Sequence, residues 1–175
     1  MMVVSTTNNY FELFQLPVQY TIDKSRLSEA YRELQRVVHP DRFVGASDYE
    51  RRLAQQKSTL VNDGYQVLRD DLSRAQHLLH LNNVDYQQHV LSDSGFLMAQ
   101  IELREELEAI AASKDVDKLS TLFSHIQQQQ ENAKERLQAH FSSSDHLQSA
   151  CDEVIKLQFL GKLCEEAEVL EERLL

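Results

Sequence analysis

Residues His39, Pro40 and Asp41 set an imidazole and a carboxylate two positions apart across a proline. Two readings of such a trio rest on the residues themselves. An imidazole beside a carboxylate is the pairing used for general acid–base proton transfer. Proline and aspartate favour turns, so the three can be plain turn residues. Acid–base work calls for a nucleophile or a metal cluster alongside, and neither accompanies the pair. Positive charge stands nearby, in Arg32, Arg36 and Arg42.

A second group stands far down the chain. Between 96 and 110, Phe96, Leu103, Leu107 and Ile110 form one stripe at roughly 100° per residue, enough to face a bundle core. Leu97, Met98 and Ile101 fall on the other side, among Glu102, Glu105 and Glu108. An apolar patch rimmed by carboxylates reads as a protein-binding surface, and methionine adapts to a partner's shape. Later, Phe159 and Ile155 make a second apolar edge away from the stripe Ala150, Val154, Leu157, Gly161 and Cys164. The alternative is that both edges pack on each other, or on the first domain as an interdomain contact.

The elements that must carry these residues are helical almost throughout. Only four glycines and two prolines occur in 175 residues, too few for a turn-rich β protein. Tyr10, Phe11, Leu13 and Phe14 make a short apolar turn before Pro17. Asp23 can cap a helix to about Val38, with Leu27, Ala30, Tyr31, Leu34, Val37 and Val38 inward and Arg32 and Arg36 on the far side. Pro40 stops it. Ser47 with Glu50 is a capping-box signature for a helix to about Arg69, with Leu53, Leu60, Val61, Val67 and Leu68 inward. A shorter helix covers Leu72–Leu81, and 82–92 reads as a linker. Three more helices follow: from Asp93 or Ser94 to about Ala112, Val116 to Phe141, and His146 to Leu174. The second holds the glutamine run 127–130, read as a solvated face. Ser142–Asp145 should turn and cap the third. The expected fold is therefore all-α, with a first domain at 1–81, a linker at 82–92 and a three-helix bundle at 93–175.

Composition excludes several roles. Net charge is −10, and all of it lies beyond residue 80, where eight Lys/Arg face eighteen Asp/Glu. An acidic second half argues against nucleic acid and anionic membrane as main partners. No run of about 18 apolar residues and no basic-then-apolar N-terminal stretch occurs, so a cytoplasmic chain is expected. Cys151 and Cys164 are about 20 Å apart along one helix, too far for a disulfide, and read as structural thiols. His77 and His80 lack a third ligand and read as a helix surface or core edge rather than a zinc site. There is no phosphate-binding loop, so any ATPase must be another chain, and no cofactor is expected.

The trio has a familiar setting. A basic helix leading to His39-Pro40-Asp41, with Tyr10-Phe11-Glu12-Leu13-Phe14 and Ala30-Tyr31-Arg32-Glu33-Leu34 before it and Asn62-Asp63-Gly64-Tyr65-Gln66-Val67-Leu68-Arg69-Asp70 after it, resembles a J domain. Phe96-Leu97-Met98, Ile101-Glu102-Leu103-Arg104-Glu105-Glu106-Leu107 and Lys156-Leu157-Gln158-Phe159-Leu160-Gly161-Lys162-Leu163 resemble the C-terminal domain of the HscB family. These are the J-domain co-chaperones of iron–sulfur cluster biogenesis, and the likeness spans essentially the whole chain. The Gly/Phe-rich or zinc-binding segments of general J proteins do not follow the J domain here. The N-terminal Cys pair of eukaryotic HscB proteins is also missing, which suits a bacterial form.

The resemblance implies a co-chaperone without catalysis of its own. His39, Pro40, Asp41, Arg32, Arg36 and Arg42 would meet a DnaK-type ATPase, HscA. Leu97, Met98, Ile101, Glu102, Glu105 and Phe159 would bind the cluster scaffold, IscU. Two departures stand out. Ala109 occupies a position that often holds a carboxylate, and Arg42 one where many members have lysine. A general J protein presenting unfolded clients through the same patch is the alternative; a hydrolase using His39 and Asp41 is the more distant one.

Overall fold

The computed structural model describes residues 9–43, 45–91, 93–143 and 146–174. The chain divides into two compact units, Met1–Asn82 and Asn83–Leu175, and no strand occurs among the described residues.

The first unit holds α1 (Tyr10–Leu13), α2 (Lys24–Val38), α3 (Asp48–Arg69) and α4 (Asp71–Leu81). Local chemistry sets the boundaries. Asp23 caps α2 by accepting from the Ser25 and Arg26 amides, and Ser47 and Glu50 form the reciprocal capping box of α3. Asp70 ends α3 and caps α4. The α2–α3 pair is a helical hairpin, tied by stacking of Tyr31 on Tyr65 at 4.1 Å and by the Tyr31 hydroxyl donating to Asn62 Oδ1 at 3.1 Å. Phe11, Phe14, Leu27, Leu34, Val61, Leu68 and Leu79 fill the core.

Two residues expected to point inward do not. Val37 and Leu53 are exposed. Val37 lies about 80° off the line of Leu27, Leu34 and Val38, and Leu53 is displaced similarly from Ala54, Val61 and Leu68. Ala54 and Gly64 take the inward places on α3, and α1 covers the hairpin at Gly64, where a Cβ would meet the rings of Tyr10 and Phe14. His77 is buried at the core edge, and His80 is exposed.

The second unit contains α5 (Ser94–Ser113), α6 (Val116–His140) and α7 (Leu147–Leu174). Asp93 caps α5, and Lys114 ends it in the left-handed region at φ 55°. Leu103, Leu107 and Ile110 of α5, Leu119, Leu122 and Ile126 of α6, and Leu160, Leu163 and Ala167 of α7 form one core. The buried face of α7 is broader than its sequence stripe: Cys151, Leu160, Leu163 and Ala167 join Ala150, Val154 and Leu157, while Gly161 and Cys164 are half-buried. This helix packs on both of its neighbours, so it needs two apolar faces. Both cysteines are free, and burial pushes both thiols above their ordinary pKa.

The segment read as a linker contains a short 3₁₀ turn, Tyr86–Gln88, and His89 meets Asp152 of α7 at 2.6 Å. Within the glutamine run, Gln127 and Gln128 are exposed but Gln129 and Gln130 are half-buried. Ser144 and Asp145, expected in a capping turn, lie outside the described residues. No helix among those described is long and apolar enough to cross a membrane.

Candidate functional site

The first candidate site grows from the end of α2. His39 is the C-cap, at φ −59° and ψ 129°, the extended conformation that a following proline imposes. Pro40–Phe43 then make one 3₁₀ turn. The Asp41 amide donates to His39 Nδ1 at 3.3 Å, and the Asp41 carboxylate stands 3.5 Å from the same nitrogen. With Nδ1 accepting, the neutral imidazole keeps its Nε2–H for an outside acceptor. The two side chains are 53% and 86% exposed. An acid–base pair this open to water lacks the low-dielectric surroundings that make such groups effective catalysts. It is well placed to touch another molecule.

Arg32 and Arg36 are exposed on α2, away from its buried face. Arg36 also lies in the last helical turn, where positive charge suits the dipole. Arg42 has an internal role that its sequence position did not disclose. Its guanidinium donates to the Arg36 carbonyl at 2.7 Å, and its amide to the His39 carbonyl at 3.1 Å. It therefore satisfies a helix-end acceptor and braces the corner.

The second candidate site lies on α5. Leu97, Met98 and Ile101 are 45%, 59% and 53% exposed, and Glu102 and Glu105 beside them are exposed too. The opposite face of the same helix carries Leu103, Leu107 and Ile110 into the core. Phe159 is placed differently from the other residues of this set. It is half-buried on α7 against the core, with its ring edge-on to Phe96 at 5.8 Å and the Arg104 guanidinium 5.7 Å from its centre. Arg104 stands within about 20° of Leu97 on α5, so Phe159 adjoins the patch through it. Arg104 continues to Glu166 at 3.4 Å.

A charged cluster at the start of α5 escaped the sequence reading. Lys156 of α7 bridges Asp93 at 2.9 Å and Glu153 at 3.0 Å, and Glu153 also takes Arg136 of α6 at 2.8 Å. Glu153 is buried, but two cations partner it. Burial works against the Lys156 ammonium, yet its bonds to Asp93 and Glu153 outweigh that and hold its pKa above the ordinary value. Asp93 is held below its own, by Lys156 first and by the Phe96 amide second. The Glu153-to-Lys156 spacing was the one sequence signal; Asp93, more than sixty residues away, could not be read from it. Among the described residues no cluster of three or more His, Cys, Asp or Glu could hold a metal ion.

Comparison with known proteins gives these geometries a context. Residues 92–168 match the family model described as the HSCB C-terminal oligomerisation domain. A co-chaperone protein HscB homolog of Shewanella amazonensis is 43% identical over 172 residues, covering 95% of this chain and 99% of that one. Another, of Vibrio atlanticus, is 44% identical over 170 residues with the same coverage. Among solved structures, the chaperone HscB from Vibrio cholerae superposes with a TM-score of 0.85 at 41% identity, over 95% of this chain and 99% of that chain. The human co-chaperone protein HscB does so with a TM-score of 0.84 at 26% identity, over 94% and 83%.

Proposed function

The chain belongs to the HscB co-chaperone family, and on that premise we propose that it stimulates the ATPase of a specialised DnaK-type chaperone, HscA, and brings it the iron–sulfur scaffold IscU. The site of action is the cytoplasm. The observation that carries the reading is the exposure of Leu97, Met98 and Ile101 on a helix whose other face is already buried, in a chain that also exposes a proline-stiffened His–Asp corner.

The corner acts by contact. His39 and Asp41 dock on the ATPase where its nucleotide domain meets its linker, and the Arg42 brace keeps them in register. Arg32 and Arg36 steer the approach of an acidic partner surface, an effect that weakens with salt over a Debye length of about 8 Å. No bond is made or broken on this chain; hydrolysis takes place on the partner. The patch acts by burial. Leu97, Met98 and Ile101 enter an apolar groove on the scaffold while Glu102 and Glu105 pair with basic residues around it. Phe159, supported by Phe96 and Arg104, completes the edge. The position often held by a carboxylate is Ala109 here, so Glu105 and Glu102 carry the polar contacts.

Alanine at both Leu97 and Met98 tests the reading. Central apolar contacts of this kind are worth about 2–4 kcal/mol together, so affinity for folded IscU should fall roughly 30-fold or more. Stimulation of HscA without scaffold should stay at the wild-type level. Undiminished scaffold binding would sink the assignment of the patch, and broad capture of unfolded chains in place of the folded scaffold would point to a general J protein.

A further inference from the structure

The half of α5 that carries the patch is not the half that packs into the core. Leu103, Leu107 and Ile110 are all in the later turns, and before them no residue of the helix is fully buried. A groove of about 500 Å³ runs along the early turns. Phe96 and Ala99 of α5, Asn132 and Arg136 of α6, and Lys156 and Leu160 of α7 line it. The first turn also contains Gly95, which has no side chain to pack against the bundle. Leu97 and Met98, beyond Phe96, are too exposed to anchor it.

What holds this turn is a short ladder to α7. Asp93 accepts from the Phe96 amide at 3.0 Å through one oxygen and takes the Lys156 ammonium at 2.9 Å through the other. The same ammonium lies 5.6 Å from the centre of the Phe96 ring, and Phe96 meets Phe159 edge-on. Lys156 is itself fixed by Glu153, which Arg136 ties to α6. One lysine thus joins the cap, the first aromatic of α5 and the body of the bundle.

We infer that Asp93 and Lys156 are positioning residues for the patch: their ion pair holds the unsupported first turn of α5 in the conformation that presents Leu97 and Met98. This rests on the reading of the patch as the scaffold site. The pair touches no partner and acts through the helix start.

Asp93→Asn is the clean variant, because asparagine still caps the helix and leaves Lys156 with Glu153. Amide exchange at Phe96 and Leu97 should quicken about three-fold, with a matching loss of affinity for IscU, as expected for a half-exposed pair. Asp93→Ala, which also removes the cap, should lose about five-fold or more in both readouts. Lys156→Arg, which keeps the positive charge, should stay near wild-type values, and Asp93→Asn combined with Lys156→Met should lose less than the sum of the two single changes. ATPase stimulation without scaffold should not move in any of them. Unchanged exchange in Asp93→Asn, or faster exchange with unchanged affinity, would overturn the inference. The Leu97 and Met98 alanine variant, run beside them, keeps the two claims apart: if it binds the scaffold normally, the scaffold reading fails instead.

Discussion

His77 shows how one side chain can tie folding to pH. Its ring lies 4.7 Å from that of Tyr10 and 5.8 Å from that of Phe11, and its Nε2 accepts the Tyr10 amide at 3.3 Å. Only the neutral imidazole can accept there. Burial first, and the nearby His80 second, lower its pKa below the ordinary 6.5. The folded state therefore binds this proton less readily than the unfolded one. The stability gained is complete above pH 6.5 and is lost as pH falls from there through the lowered value. Urea midpoints of the wild type should drop across that window, and His77→Gln should flatten the drop; equal slopes would contradict the account. Legibility at this scale follows sequence distance. The trio 39–41 is contiguous and could be read directly. His77 reads from the sequence as a helix surface or core edge, but its partner Tyr10 is 67 residues away, and the link from Lys156 to Asp93 is about as remote.

At the scale of elements, the close approach of α1 to α3 runs through Gly64. A Cβ there would lie 2.8 Å from Tyr10 Cδ1 and 3.1 Å from Phe14 Cε2. Alanine would gain about 1 kcal/mol of helix propensity. It would also press on a buried ring and on the root of another, an overpacking cost of about 1–3 kcal/mol. The balance predicts that Gly64→Ala lowers stability by about 1 kcal/mol, and that the sign reverses in a Tyr10→Ala background. Stabilisation in both backgrounds would refute the close approach. Helix ends were legible because caps are local: Asp23, Ser47 with Glu50, and Asp93 all do what their types suggest. Helix faces were legible only where one neighbour covers the helix. The wide buried face of α7 and the exposure of Val37 and Leu53 depend on what lies opposite, which periodicity does not encode.

The whole molecule carries two unlike candidate contact sites, each on its own unit. The corner is built by backbone rules within a dozen residues, from Arg36 to Phe43. The patch is built by division of labour along one helix: later turns anchor it in the bundle and early turns are presented by the Asp93–Lys156 ladder. The all-α organisation was legible from composition and caps, and the patch from its misplacement on the wheel; the support beneath it was not. If both sites serve one cycle, their effects on the partner ATPase must multiply. The direct test is steady-state ATP turnover by HscA with this protein, with IscU, and with both. Stimulation by both together should exceed the sum of each alone, and His39→Gln should abolish it in a variant that keeps its fold and its scaffold affinity. Merely additive turnover, or full stimulation by His39→Gln, would contradict this.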